Sequence, residues 1–184
     1  MKRELKPSTS LTPLPVVMIS CGNMEKANIL TIAWTGIINS EPPMVSISIR
    51  PSRYSYEIIK ETKEFVLNIP DEKLVWQLDF CGTKSGREIE DKFKVARLTK
   101  EESKKIKAPL IKECPISLEC KVKEIKHLGS HDIFMAEIVA VNAKEEILNE
   151  NGKINLSKVN AVAYIGQEYF VANKKIADRG ICLK

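Results

Sequence analysis

The sequence predicts a mainly β protein: an antiparallel β-barrel, or closed sheet, with short helices inserted after its third and fourth strands. Short apolar runs of strand length recur throughout the 184 residues. Apolar and polar side chains alternate in "ISLECKVKEI", as they do in a half-buried antiparallel strand. Helical spacing of apolar residues is confined to short segments between such runs. Closing the sheet would remove strand edges that are open to aggregation.

The composition indicates one globular domain over residues 1–184, with an N-terminal arm at 1–15 and a C-terminal tail at 171–184. Typical domains cover about 100–200 residues, and such a length can bury a sizeable core. No apolar run approaches the roughly 20 residues of a membrane helix. Pro13 and Pro15 interrupt the one segment that could serve as a signal peptide. We therefore expect a cytoplasmic protein without a membrane partner.

The net charge of +5 does not by itself indicate a nucleic-acid partner. Lysines alternate with glutamates in "KETKE", "KEESKK" and "AKEE", a mixture that is typical of a solvated surface. The chain carries no zinc-finger pattern and no aromatic-rich RNA-binding motif. We therefore expect no nucleic-acid partner.

The first three strands are predicted close together. "VVMISCG" (16–22) is followed by a turn at "GNMEKAN" and by a second strand, "ILTIAWTGII" (29–38). The tandem prolines of "NSEPP" mark a turn, because they cannot continue a central ladder. "MVSISI" (44–49) is the third strand. Its residues alternate between an apolar and a serine-bearing face, the first with Val45, Ile47 and Ile49 and the second with Ser46 and Ser48.

Short helices are predicted around the fourth strand, "FVLNIP" (65–70). "SYEIIKETKEF" places Ile58, Thr62 and Phe65 on one helical face, with Glu57 in the first turn, where the helix dipole favours a carboxylate. "DEKLVWQLDF" and "GREIEDKF" predict two more helices. Their apolar pairs stand four residues apart: Leu74 with Leu78, Trp76 with Phe80, and Ile89 with Phe93.

The second half of the chain predicts a hairpin and a further strand. "KVARLTKEESKKIKAPLIKEC" is a charged connector. "ISLECKVKEI" and "IFMAEIVAVNA" form the hairpin, joined by the turn "KHLGSHD". "AVAYIGQEYF" is predicted as one more strand.

No motif of side-chain catalysis or metal binding stands out. The chain contains no GxSxG nucleophile motif, no P-loop and no GxGxxG fingerprint. His127, His131 and Asp132 share one hairpin turn, but they need not converge as the three or four ligands that a metal usually takes. The five cysteines include no CxxC pair and are predicted to be free thiols. Cys81 attracts most interest, because it begins a polar turn.

Two turns could hold an anion. "RPSRYS" supplies two arginines, two serines and the free amides of a helix N-terminus, a combination suited to phosphate. The alternative is that Ser52 or Ser55 caps the helix while the arginines face solvent. "CGTKSGREIEDKF" also precedes a predicted helix and carries glycine, threonine, lysine and serine, again with a cap as the alternative. Together the two turns indicate one phosphorylated ligand held from two sides.

A third feature is the strand "NILTIAW". Asn28, Thr31 and Trp34 place amide, hydroxyl and indole donors along it. The indole is either a core side chain or a ligand contact, and the pattern leaves both open.

These segments in this order resemble the flavin reductase-like, FMN-binding split-barrel family, and they are most similar to its flavoredoxin branch. The resemblance rests on the N-x-x-T-x-x-W strand, the "PP" turn, "RPSRYS", "FVLNIP" and "CGTKSGREIEDKF", and it extends from about residue 10 to about 170. It implies a Greek-key barrel of six or seven strands. It also implies a homodimer with FMN near the subunit interface.

The resemblance implies a set of cofactor-binding residues. Those along the isoalloxazine and ribityl chain would be Asn28, Thr31, Ala33 and Trp34. The next strand would present Ser48, Ile49 and Arg50. The phosphate would meet Arg53 and Ser55, and the second turn would add Lys84, Ser85 and Lys92. His131 would lie near the flavin, and Tyr164 would close the site.

The resemblance also bounds the function. It implies FMN-dependent electron transfer with a redox partner protein, or reduction of flavin by NADH or NADPH, since the flavin supplies such chemistry. The alternatives are an FMN-binding protein without turnover, such as a flavin store, and a nucleic-acid-binding β-barrel.

Overall fold

The structure is a computed structural model that describes the backbone of residues 1–183 and the side chains of residues 1–182. The α-helices are α1 (Tyr54–Thr62), α2 (Val75–Thr83) and α3 (Lys92–Val95). The strands are β1 (Leu14–Pro15), β2 (Val17–Gly22), β3 (Ala27–Ile32), β4 (Thr35–Ser40), β5 (Pro43–Ile49), β6 (Glu64–Ile69), β7 (Lys100–Glu101), β8 (Leu110–Ile111), β9 (Ile116–His127), β10 (Asp132–Ala143), β11 (Val162–Ile165) and β12 (Glu168–Val171). Single 3₁₀ turns cover Glu72–Leu74, Glu145–Ile147, Leu156–Lys158 and Ile181–Leu183.

Seven strands form a sheet that curves back on itself. Their order is β3-β2-β6-β9-β10-β5-β4, and every neighbouring pair is antiparallel. The edge strands β3 and β4 are separated in sequence only by Ala33 and Trp34. The carbonyl of Trp34 accepts a 2.9 Å hydrogen bond from the amide of Ser48 on β5. This bond continues the β4–β5 pairing, and Leu30 of β3 shares one buried cluster with the apolar residues of β5. The sheet thus forms a barrel around that cluster, which confirms the predicted fold class.

Apolar residues cover both faces of β2. Val17, Ile19 and Cys21 point into the barrel, where they join a buried cluster from the other strands and α1. Val16 and Met18 belong to a second cluster on the outside of the barrel, formed with α2 and α3. This double burial explains why "VVMISC" is apolar except at Ser20 and does not alternate.

Two predicted elements have different bounds in the structure. The second strand is two strands, because the chain breaks at Ala33–Trp34. The first helix ends at Thr62, where Lys63 adopts a left-handed conformation with φ of 58°. Phe65 therefore belongs to β6, and the buried face of α1 is formed by Ser55, Tyr56 and Ile59. The predicted grouping of Ile58, Thr62 and Phe65 on one helical face is wrong.

Several other predicted elements also differ. "GREIEDKF" is helical only from Lys92, where the carboxylate of Asp91 caps the amide of Lys94 at 3.0 Å. The predicted connector contains the small β7–β8 pair. "AVAYIGQEYF" forms two strands, because Gly166 and Gln167 both adopt positive φ and turn the chain. The N-terminal arm contributes β1, which pairs with β11.

Strand β9 is less exposed than its alternating pattern predicts. Its polar residues Ser117 and Glu119 are buried, because the connector covers this face of the strand. The Glu119 carboxylate accepts hydrogen bonds from the amides of Lys104 and Lys105 at 2.9 and 2.7 Å. The paired carboxylate explains how a glutamate can be buried here.

Cys81 lies inside α2 and is buried, so it does not begin a turn as predicted. Cys21, Cys114 and Cys120 are also buried, and Cys182 is exposed. Over the described residues, no helix combines the length and hydropathy that crossing a bilayer would take.

Candidate functional site

Two adjoining cavities lie at one end of the barrel. The larger, of about 430 Å³, lies between the turn before α1 and the turn after α2. The smaller, of about 180 Å³, lies along the link between β3 and β4, the end of β5 and His131. Leu30, Arg50 and Arg53 line both. We call them the phosphate cavity and the strand cavity, and together they form one continuous site.

The N-terminus of α1 opens on the phosphate cavity without a side-chain cap. Arg53 is the N-cap residue, and no described side chain accepts a capping hydrogen bond there. The Ser55 hydroxyl instead accepts a 2.7 Å bond from Asn28 Nδ2. The alternative that Ser52 or Ser55 caps this helix is therefore wrong. Uncapped amides and the positive end of the helix dipole favour an anion here.

The C-terminus of α2 meets the same cavity through two cations. The last carbonyls of a helix lack partners within it. Lys92 Nζ donates to the carbonyls of Cys81 and Ile29, at 3.0 and 2.9 Å. Arg53 Nη1 lies 3.4 Å from the carbonyl of Gly82. The helix end thus holds an ammonium and a guanidinium at the cavity.

Lys92 is a buried cation, with 2% of its surface exposed. Burial lowers the pKa of its ammonium, since desolvation disfavours the charged form. An ammonium has three N–H groups, and the two carbonyls take two of them. One donor remains for a ligand in the cavity that Lys92 lines.

Asn28 has a buried acceptor that fits a bound ligand. Its Nδ2 bonds Ser55, but Oδ1 has no hydrogen-bond partner in residues 1–182. The residue is 3% exposed and lines the phosphate cavity. A buried acceptor without a partner costs about 1–3 kcal/mol. A hydroxyl or amide donor of a ligand would satisfy it, and the sugar-like chain of FMN carries such hydroxyls.

The second turn forms a wall of the phosphate cavity and does not cap a helix through Ser85. Ser85 Oγ accepts a 3.2 Å bond from the amide of Arg87 within the turn, whereas Asp91 caps the helix α3 that follows. The hydroxyl proton of Ser85 is still available to a ligand. Lys84 is exposed and lines the phosphate cavity beside Ser85. The two turns that the sequence singled out thus face each other across one cavity.

The strand cavity is flanked by an indole and an imidazole. Trp34 is 40% exposed, so it is not a core residue. Its ring centroid lies 4.5 Å from that of His131, with the planes tilted by 39°. Partial burial, with Arg50 and Arg53 nearby, lowers the pKa of His131 and favours the neutral imidazole. The pairing of Asp132 with Ile49 in the β10–β5 ladder sets His131 beside the end of β5.

The Thr31 hydroxyl is already used in a hydrogen bond within the fold. It donates a 2.6 Å hydrogen bond to the carbonyl of Leu78 in α2. Its one proton is therefore already used, although the oxygen can still accept a bond. Gly82 lies against the same side chain: a Cβ there would lie 3.2 Å from Thr31 Cβ.

All but one of the predicted site residues line the two cavities. The exception is Tyr164, which packs in the outer cluster, 5.6 Å from Tyr169. Tyr164 therefore lines neither cavity, although Ala33, which lines the strand cavity, packs against the same cluster. Leu30, Ser52, Tyr54 and Gly86 also line the phosphate cavity, although none of them was predicted as a cofactor contact. Three of them belong to the two turns already recognised, so the turns themselves were the available signal.

The two histidines of the hairpin turn have separate surroundings. His127 Nδ1 lies 2.7 Å from Asp132 Oδ2, and the Tyr56 hydroxyl donates to the same oxygen at 2.5 Å. Together these donors, Tyr56 first, lower the pKa of Asp132. His131 faces Trp34 instead. The turn therefore contributes one histidine to the site and one to a buried carboxylate.

Comparison with known proteins identifies the family. Residues 9–171 match the model of the flavin reductase like domain. The chain belongs to the flavin reductase-like family. It is similar to an uncharacterised protein of Pyrococcus abyssi, with 33% identity over 88% of this chain and 91% of the relative.

Solved flavoredoxin structures resemble the whole fold. The flavoredoxin of Desulfovibrio vulgaris is 30% identical and covers 100% of both chains with a TM-score of 0.90. The flavoredoxin of Methanosarcina acetivorans is 26% identical at the same coverage, with a TM-score of 0.87. The family is FMN-binding, and it includes flavin reductases and other oxidoreductases. The family resemblance identified in the sequence is confirmed.

Proposed function

We propose that this protein binds FMN across the phosphate and strand cavities and acts as a redox flavoprotein. The observation that carries the proposal is the phosphate cavity, where the uncapped α1 N-terminus meets Arg53 and Lys92. Helix amides with guanidinium and ammonium donors form a site for a terminal phosphate dianion. The strand cavity continues from it through Arg50.

Different polar residues would hold different parts of the proposed ligand. Arg53, the α1 amides and the remaining donor of Lys92 would hold the phosphate, with Lys84 and Ser85 approaching from the second turn. Asn28 Oδ1 would accept a hydrogen bond from a hydroxyl of the ribityl chain.

The strand cavity would hold the ring system. Ser48, Ile49 and Arg50 present the end of β5 along it, and Ala33 leaves room at the β3–β4 link. Trp34 and His131 provide flat aromatic surfaces at its side. FMN supplies hydride and electron chemistry, whereas the protein supplies position and electrostatics. The Arg50 guanidinium favours negative charge on a ligand here.

We further propose that FMN is held as a fixed group and passes electrons between protein partners. The whole-chain similarity to flavoredoxins supports this role. An absorption spectrum of the purified protein, before and after soaking with FMN, is the direct test. A protein that stays colourless and binds no FMN would end the proposal.

The electron donor is tested separately. Under anaerobic conditions, NADH or NADPH would bleach the flavin of a reductase. A carrier would be bleached only by a reduced partner protein. A protein that binds FMN and responds to neither would be a flavin store.

Removing Arg53 tests the phosphate contact. Arg53→Ala should weaken FMN binding by about 1.5–3 kcal/mol, the value of a hydrogen bond to a charged group, or roughly 10- to 150-fold in Kd. The unfolding free energy should stay within about 0.5 kcal/mol, because Arg53 is exposed and its bond to Gly82 is long. Lys60→Ala, at the other end of α1, is the matched control. Equal FMN affinity in Arg53→Ala and wild type would show that Arg53 does not bind the phosphate and is only a solvated surface residue.

A second copy of the chain is the proposed partner at the β4 edge. Ile37 and Ile38 on β4 are 69% and 45% exposed, and Trp34 extends the apolar surface to the strand cavity. The family resemblance implies a homodimer with flavin near the interface. Light scattering of wild type and of Ile37→Lys would test this, since a charge in the interface should produce monomers. A monomeric wild type would refute it.

A further inference from the structure

A third cavity adjoins the phosphate cavity on the side away from the strand cavity. It has a volume of about 870 Å³, which lies in the range of small-molecule sites. Asn28, Tyr54 and Gly86 line both it and the phosphate cavity. The two spaces are therefore separated by a wall one side chain thick. We call this space the outer cavity.

The wall is closely packed at Gly86. A Cβ at this position would lie 2.3 Å from Tyr54 Cδ1 and 2.6 Å from Asn28 Oδ1. Such distances are far below van der Waals contact, so the bare backbone of Gly86 fills the gap between the two side chains. The gap has no room for a ligand chain.

Arg87 holds the wall closed. Its Nη1 donates a 2.7 Å hydrogen bond to the carbonyl of Ser52, in the turn before α1. Its guanidinium carbon lies 5.9 Å from the centroid of the Tyr54 ring. Its own amide is bonded to Ser85. One side chain thus joins the second turn to the first and covers the aromatic part of the wall.

We infer that Arg87 is a specificity-determining residue, which closes the phosphate cavity so that the site takes a flavin mononucleotide and rejects a flavin dinucleotide. The inference rests on the proposed function. In FMN the phosphate is the end of the molecule. In FAD a second phosphate and an adenosine continue from it and must leave the phosphate cavity. The outer cavity is large enough to receive an adenosine, but Arg87 and the wall bar the way to it.

Charge does not explain the selection. Four carboxylates and four cationic side chains line the outer cavity, so it is balanced. A second phosphate would meet no strong net field there. Steric closure by the wall is the discriminating element.

Calorimetric titration with FMN and with FAD tests the inference in wild type, Arg87→Ala and Lys94→Ala. Lys94 lines the same outer cavity without bonding the turn before α1, and so it is the matched control. We expect wild type to bind FAD at least about 10-fold more weakly than FMN, because even one misfitting methylene in a pocket costs about 10- to 200-fold. In Arg87→Ala the bond to Ser52 is lost, so the second turn can move Gly86 away from Tyr54 and open the wall. The ratio should then fall about tenfold, mainly through tighter FAD binding. In Lys94→Ala it should stay at the wild-type value.

The outcomes separate this inference from the proposed function. Equal affinity of wild type for FMN and FAD, or an unchanged ratio in Arg87→Ala, overturns the role of Arg87 while FMN binding stands. Absence of FMN binding in wild type overturns the proposed function and the inference with it. Arg87→Gln is the second variant, should Arg87→Ala not fold. It keeps a polar side chain but loses the charged fork, and its ratio should fall in the same direction.

Discussion

Replacing Lys92 with methionine tests how the N-terminus of α3 is held against the C-terminus of α2. The change removes a buried ammonium and keeps an unbranched apolar stem of similar length. It leaves the carbonyls of Cys81 and Ile29 without the donors that lie 3.0 and 2.9 Å away. An acceptor left buried without a partner costs about 1–3 kcal/mol. The ammonium no longer has to be desolvated, which offsets part of this cost.

We expect a net loss of about 2–4 kcal/mol in the free energy of unfolding, because two acceptors are orphaned while one cation is released. Urea unfolding of the protein without added flavin measures it, and the m-value should not change. Lys94 lies two residues further along α3 and is exposed, so Lys94→Met is the control. Its free energy of unfolding should stay within about 0.5 kcal/mol of the wild-type value.

The pH dependence gives a second check on the same variant. Burial lowers the pKa of Lys92 in the folded state, so the unfolded chain binds more protons between that value and about 10.4. Stability that depends on Lys92 therefore rises with pH across this window. The advantage of wild type over Lys92→Met should grow from neutral to alkaline pH. A variant at least as stable as wild type at neutral pH would refute the expected loss, because desolvation of the ammonium would then cost as much as its two bonds contribute, or more.

Three further predictions concern the wall, the buried carboxylate and the thiols. Gly86→Ala should displace Tyr54 and weaken FMN binding at least tenfold (about 1.4 kcal/mol), because its Cβ would lie 2.3 Å from the Tyr54 ring; calorimetry that shows unchanged affinity would contradict the packing. The pKa of Asp132 is lowered in the fold, so its stabilising effect is present above about 3.9 and is lost as the pH falls through the folded value. The stability difference between wild type and Asp132→Asn, followed by urea unfolding, should therefore shrink in acid, and a constant difference would refute this. Cys182 is exposed, whereas burial raises the pKa of the thiols of Cys21, Cys81, Cys114 and Cys120. A disulfide reagent should therefore label Cys182 in the native protein and the four buried cysteines only after unfolding. Rapid labelling of several thiols in the native protein would contradict their burial.

The strands were largely predictable because burial against a sheet leaves a direct trace in the sequence. "MVSISI" alternates, and the structure buries Val45, Ile47 and Ile49 in the barrel as the pattern predicts. The break at Ala33–Trp34 left no such trace. "ILTIAWTGII" is apolar on both sides of it, and only barrel closure requires the chain to change strands there.

The site was predictable as a pair of turns but not as an arrangement. Residue types suited to phosphate identified "RPSRYS" and "CGTKSG", and the structure sets both around one cavity. The sequence could not show whether a serine caps α1, because the Ser55 hydroxyl is hydrogen-bonded to Asn28, which lies 27 residues away in the chain. Tyr164 lines neither cavity in the structure, and its ring lies beside that of Tyr169 in the outer cluster.

The sequence by itself therefore determined the fold class, the family and the residue types of the site, since these follow from local periodicity and from short motifs in a fixed order. The tertiary structure alone decided which groups are free to act. It bonds the hydroxyl of Thr31 to Leu78, holds Lys92 between two carbonyls and places Arg87 across the wall. It also leaves Asn28 Oδ1 without a hydrogen-bond partner in residues 1–182. Each of these depends on contacts between segments far apart in the chain. A hydrogen bond that crosses the fold removes or supplies a donor in a way that no local pattern records.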